Sequence, residues 1–84
     1  MTNLLIATWN VNSIRARLPI ILAWLKEKKP DVLLLQELKA KNNDIPKEEI
    51  EDLNYNIIAK GQKSYNGVAI LSKFPVSDIK YTFP

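Results

Sequence analysis

The chain contains no cysteine and no histidine. Without cysteine there is no disulfide, no thiolate metal site and no cysteine nucleophile. Without histidine the commonest general base of hydrolases is missing, and a Ser-His-Asp arrangement cannot be assembled. Glycine occurs only at Gly61 and Gly67, so there is no glycine-rich phosphate loop. No apolar run reaches about 18 residues, which excludes a membrane-spanning helix. The start of the chain opens directly into a strand-like run with no basic segment ahead of it, so no secretory signal is read there. The expectation is a cytoplasmic protein with no membrane partner.

What remains is ordinary globular composition. The 84 residues are 46% hydrophobic and 25% charged, which argues against disorder and allows one small domain at most. The net charge of +3 is unevenly placed. Residues 1–42 carry seven Lys/Arg against three Asp/Glu, or +4, and residues 43–84 carry five against six, or −1. A basic half can suit a polyanionic partner, but for a charge of this size a solvated surface is the favoured account.

Two stretches organise the chain. Leu4-Leu5-Ile6-Ala7 runs into Thr8-Trp9-Asn10-Val11-Asn12, and Val32-Leu33-Leu34-Leu35 runs into Gln36-Glu37-Leu38-Lys39. Unalternating apolar runs of this length suit strands covered on both faces. One helix-length segment separates them, so strand–helix–strand reads as a right-handed crossover between parallel strands. Parallel strands end on the same edge. Neighbouring strands would bring Asn10, Asn12 and Glu37 together at the carboxyl edge, where open α/β sheets bind ligands.

In chain order, strand one is Leu4 to Trp9, and Ser13 caps a short turn over Ile14–Arg17. Pro19 suits the first position of a helix running to Lys28. Leu18, Ile21, Leu22 and Leu25 make its apolar stripe, and Ile20 and Trp24 widen it. Pro30 stops it. Strand two is Val32 to Gln36, followed by a polar loop from Ala40 to Ile45. Pro46 begins a second helix at N1, ending near Leu53, with Glu48 and Glu49 in its positive first turn. Tyr55 to Lys60 is strand three and Gly67 to Ser72 strand four, joined by a hairpin loop over Gly61–Asn66. Val76 to Tyr81 has the length of a fifth strand. The order is β-α-β-α-β-β. Helices on one face of such a sheet leave the other bare, and too few residues remain to cover it.

The chemistry centres on Glu37, Asn10 and Asn12. A carboxylate at a buried strand end is either a ligand or a solvated terminus, and asparagine after a strand is ordinarily a turn former. Together the three supply the oxygen donors that a hard cation such as Mg²⁺ takes. Arg15, Arg17 and Lys39 lie just beyond, and cations flanking such a site suit a phosphate substrate. Tyr65, beside Lys63 at the hairpin tip, is either a nucleic-acid contact or a lid packed on its own loop. Trp9 and Trp24 read as core.

Three blocks carry a resemblance: Ala7-Thr8-Trp9-Asn10-Val11-Asn12-Ser13-Ile14-Arg15, Pro30-Asp31-Val32-Leu33-Leu34-Leu35-Gln36-Glu37-Leu38-Lys39, and Gly67-Val68-Ala69-Ile70-Leu71-Ser72. In order and spacing the chain resembles the opening of bacterial exonuclease III, in the AP endonuclease branch of the endonuclease/exonuclease/phosphatase superfamily. The resemblance implies the first portion of a four-layer α/β sandwich of deoxyribonuclease I-like fold, with a mixed sheet. It implies Mg²⁺- or Mn²⁺-dependent hydrolysis of phosphodiesters in double-stranded DNA, at abasic sites and 3′ ends. Glu37 and Asn10 match the family's metal-binding positions, and Asn12 falls where some relatives carry an aspartate near the metal. Arg15, Ala16, Lys39 and Tyr65 fall where relatives touch DNA.

The family's active-site tyrosine, its water-activating aspartate with a nearby asparagine, and its terminal aspartate–histidine pair have no match within these 84 residues. The resemblance therefore implies no catalytic residue in this chain, and a partner in the missing C-terminal portion of the same domain. Two other readings stand beside this one. One is a different phosphoesterase of the superfamily, acting on a lipid or inositol phosphate. The other is non-enzymatic: an inactive fragment, or a half-domain that associates with a partner chain.

Overall fold

The computed structural model describes residues 4–61 and 67–74. Four strands form one mixed sheet: β1 (Ile6–Asn10), β2 (Val32–Gln36), β3 (Asn56–Gly61) and β4 (Gly67–Ser72), in the spatial order β1-β2-β4-β3. Helix α1 (Ile14–Lys28) joins β1 to β2, and the two strands run parallel with Asn10 opposite Gln36. A 3₁₀ turn (Asn42–Asp44) and a short helix α2 (Lys47–Glu51) lead into β3. β4 lies antiparallel between β2 and β3. The expected element order and parallel crossover are both present, with the 3₁₀ turn added. Gly61 stands opposite Gly67, so the pairing closes with the five-residue connection 62–66, which lies outside the described residues, as does the fifth strand expected over Val76–Tyr81.

The side chains of a strand alternate between faces. One face carries Ala7, Trp9, Leu33, Leu35, Ile57, Ala59, Ala69 and Leu71. It packs with Ile14, Ile21, Leu25, Ile50 and Tyr55 into a single core. Leu33, Leu35, Ala69 and Leu71 are each no more than 1% exposed. Trp24 of α1 meets Trp9 of β1 edge-on, with ring centroids 6.0 Å apart, an arrangement favoured by the ring quadrupoles. Both tryptophans, expected in the core, are partly buried and pack against it. The Tyr55 hydroxyl donates to the Pro30 carbonyl at 2.6 Å and ties the start of β3 to the turn before β2.

The other face carries Ile6, Thr8, Asn10, Val32, Leu34, Gln36, Ile58 and Ile70, in register across the sheet. No described element covers it: Val32, Leu34, Ile58 and Ile70 are only partly buried and Ile6 is 56% exposed. The apolar runs of β1 and β2 anticipated cover on both sides; among the described residues they receive it on one.

The first helix corrects the sequence reading. It starts at Ile14, five residues before Pro19, and Pro19 lies inside it. Ser13 is the cap: its Oγ accepts from the Ala16 amide at 3.2 Å and its carbonyl from the Arg17 amide at 3.1 Å. Ile14 is fully buried, which anchors the first turn in the core. Proline has no N–H, so the Arg15 carbonyl loses its helical partner. Pro19 and Arg15 are both exposed. Ile20, expected to widen the apolar stripe, is 54% exposed instead. Only Ile14, Ile21 and Leu25 of this helix are fully buried. The second helix is also shorter than expected, with Pro46 as its cap and not its first residue. No described helix is long and apolar enough to cross a membrane.

Candidate active site

β1 and β2 end side by side, and the chain continues from each into a loop that stays paired. The Val11 amide donates to the Gln36 carbonyl at 3.0 Å, Ser13 to Glu37 at 2.9 Å, and Ile14 to Leu38 at 2.9 Å. Leu38 in turn donates to the Gly67 carbonyl at 3.3 Å, which attaches the second loop to the start of β4. Val11, Ile14 and Leu38 are buried and hold both loops down. The polar residues between them point outward.

That alternation requires unusual backbone. Asn12, Ser13, Glu37 and Lys39 all have positive φ, at 48°, 95°, 55° and 53°. Only two other non-glycine residues among those described do so, Lys29 and Asn54. Left-handed backbone costs a residue with a Cβ roughly 1–2 kcal/mol, least for asparagine. Four such residues in two facing loops mark the place where local preference yields to the site.

The side chains expected to meet do meet. The Asn10 amide nitrogen, Nδ2, donates to Oε2 of Glu37. Nζ of Lys39 donates to Oδ1 of Asn12. Glu37 and Lys39 are half-buried, and Asn10 and Asn12 exposed. Arg15, in the first turn of α1, pairs with Asp44 of the 3₁₀ turn at 3.9 Å. Both side chains are at least half exposed, so this pair is screened and worth little. Ala16 is exposed beside it, its amide held by Ser13. Tyr65 lies outside the described residues. Asp44 was not anticipated: nothing in sequence marks an exposed acid 29 positions from the arginine it meets.

The donor set is one carboxylate with amide oxygens. Among the described residues no three His, Cys, Asp or Glu side chains cluster as a metal cage. Asn10 lies on the face of the sheet that no described element covers.

The molecule is thus an α/β protein whose two adjacent parallel strands deliver a carboxylate–amide pair and a cationic rim to one sheet edge. The chain belongs to the Endonuclease/Exonuclease/phosphatase family, whose model matches residues 7–84. It is 38% identical over 77 residues to an exodeoxyribonuclease III of Haemophilus influenzae, an alignment covering 92% of this chain and 29% of that protein. Among solved structures it is similar to an AP endonuclease from Archaeoglobus fulgidus, with TM-score 0.88 and 46% identity over 94% of this chain and 31% of that one. It is also similar to a 3′ phosphatase from Neisseria bound to product DNA hairpin, with TM-score 0.89 and 39% identity over 98% and 32%. The α/β arrangement with its mixed sheet matches the corresponding third of these two structures. The chain spans about a third of the length of the relatives it matches.

Proposed function

We propose that these residues form the first part of a divalent-metal-dependent phosphodiesterase acting on double-stranded DNA, of the exodeoxyribonuclease III and AP endonuclease type. The observation that carries the reading is the Asn10–Glu37 pair at the shared carboxyl edge of β1 and β2, rimmed by Lys39 and Arg15. The named relatives support the choice of DNA over other phosphoesters.

The residues fit a hard cation by donor chemistry. Asn10 gives its N–H to Glu37, which leaves its Oδ1 and the second Glu37 oxygen as the acceptors, and Mg²⁺ takes one or two carboxylates with neutral oxygens and water. When bound, such an ion supplies positive charge to a phosphoryl oxygen. The chain's own residues do the rest of what is available here. The pairing of the two loops fixes Glu37, and Asn10 orients its carboxylate. Lys39, Arg15, Ala16 and Tyr65 are the proposed DNA contacts. No described side chain serves as a base for water. Glu37 is engaged, and an amide does not take up a proton usefully near neutral pH.

The test is abasic-site cleavage with Mg²⁺ by the purified chain, alone and after addition of the remaining portion of a relative's domain. Turnover in the mixture, lost on Glu37→Ala, is expected. Turnover by residues 1–84 alone, or activity of the mixture indifferent to Glu37→Ala, overturns the reading.

A further inference from the structure

The side-chain amides of Asn10, at the end of β1, and Asn12, in the loop after it, are oriented oppositely, and their partners fix which way. A carboxylate only accepts hydrogen bonds and an ammonium only donates them. Nδ2 of Asn10 bonds Glu37, so Asn10 turns its oxygen outward. Oδ1 of Asn12 bonds Lys39, so Asn12 turns its nitrogen outward. The usual ambiguity of amide orientation is therefore removed at both positions by the chemistry of the partner. Asn12 Nδ2 has no hydrogen-bond partner among the described residues, and Asn12 is exposed.

One edge thus carries two seats of opposite character. Asn10 and Glu37 present oxygen, which suits a cation. Asn12 presents two N–H donors with the Lys39 charge behind them, which suits an anion. The Lys39 ammonium takes one lone pair of the Asn12 oxygen, and its positive charge disfavours a metal at the other. We propose that Asn12 donates hydrogen bonds to a phosphoryl oxygen, held in that orientation by Lys39, and is not a ligand of the cation. Lys39 acts as a positioning residue in addition to contributing charge. The inference rests on the phosphodiesterase reading, because it assigns the second partner at the same edge.

The test uses the ¹⁵N-labelled chain with two probes taken separately, MgCl₂ and inorganic phosphate, read at the side-chain amide signals of Asn10 and Asn12. Mg²⁺ should move the Asn10 signal, and phosphate the Asn12 signal. Asn12→Gly keeps the left-handed backbone and removes the donors. It should weaken phosphate binding about tenfold, the usual worth of a hydrogen bond to a charged group, and leave Mg²⁺ affinity unchanged. Asn12→Asp also accepts this backbone and should weaken phosphate binding further, so the result does not depend on one variant folding. In a Lys39→Met background Asn12→Gly should cost little more, because the amide is no longer held; independent contributions would add. A phosphate response that ignores Asn12, or an Asn12→Gly that loses Mg²⁺ affinity instead, overturns the proposal. Glu37→Gln separates the two ideas: unchanged Mg²⁺ affinity there counts against the metal site and leaves the phosphate arm to be judged on its own.

Discussion

Individual residues of this chain are placed against their own preferences where two parts of the molecule must meet. Lys29 is one such case. It caps α1 with φ 48° and ψ 52°, and its amide bonds the Leu25 carbonyl at 3.0 Å. Its carbonyl accepts from Nζ of Lys73, so the strained residue links the helix end to the residue after β4. On the Lys29 side that link uses backbone atoms only. Lys29→Gly keeps it and removes the left-handed penalty, and should raise stability by about 1 kcal/mol in urea unfolding. Tyr55 is a second case. Burial first, and then the Asp31 carboxylate, push its phenol above the ordinary 10.0. A raised pKa in the folded state means that folding holds the proton more tightly. The contribution is therefore full below about pH 10 and is lost as the pH rises from there through the folded value. Tyr55→Phe should cost about 1 kcal/mol at neutral pH through the lost bond to Pro30, and should flatten the alkaline limb of the stability profile. An alkaline limb unchanged in Tyr55→Phe would assign it to other groups.

Among the elements, α1 and β2 divide the work of presenting the site. β2 lies in the middle of the sheet, paired on both sides, with Leu33 and Leu35 sealed in the core. Leu35→Ala sits one step from Gln36 and directly opposite Trp9. It should cost about 2–5 kcal/mol by leaving a cavity, and it should loosen the Asn10–Glu37 pair with it. Chemical denaturation reads the first effect and the Asn10 side-chain amide signal the second. α1 tolerates Pro19 because its first turn is held from outside, by the Ser13 cap and by Ile14 bonded to Leu38. Pro19→Ala restores the missing helical bond and should stabilise the chain by about 1 kcal/mol, less than the ~3 kcal/mol of a helix centre because Pro19 is near the end. A helix destabilised by that change would mean that Pro19 sets the bend of the chain into α1.

For the whole molecule the governing fact is a sheet that, among the described residues, is covered on one face. Ile6, Val32, Leu34, Ile58 and Ile70 form a continuous apolar band there, with Ile6 more than half exposed. Contiguous apolar surface of this kind marks a contact surface or an association hazard. Burying it would contribute on the order of 1.5–3 kcal/mol for each large side chain, comparable in sum with a small domain's whole stability. The isolated chain should bind an apolar fluorescent dye and self-associate with rising concentration in sedimentation. Ile6→Thr with Ile58→Thr keeps strand preference and should reduce both effects. Dye binding indifferent to that pair of changes would place the sticky surface elsewhere.

The pattern of residues was enough, by itself, to give the order of elements, the parallel crossover between β1 and β2, and the meeting of Asn10 with Glu37. Those follow from short-range chemistry: apolar runs of strand length, a capped helix between them, and the rule that parallel strands end on one edge. The family blocks were legible for the same reason, because a site at strand ends writes its polar residues directly after the apolar runs. Tertiary structure alone decided the rest. The start of α1 before Pro19 depends on a bond from Ile14 to Leu38, 24 residues away. The Arg15–Asp44 pair needs the 3₁₀ turn folded back against the helix. The left-handed backbone of Glu37 and Lys39, which no local preference favours, is imposed by Val11, Ile14 and Leu38 being buried while their neighbours point out. The opposite orientations of Asn10 and Asn12 arise last, because an asparagine amide takes its direction from the charge beside it, and those charges come from the other strand.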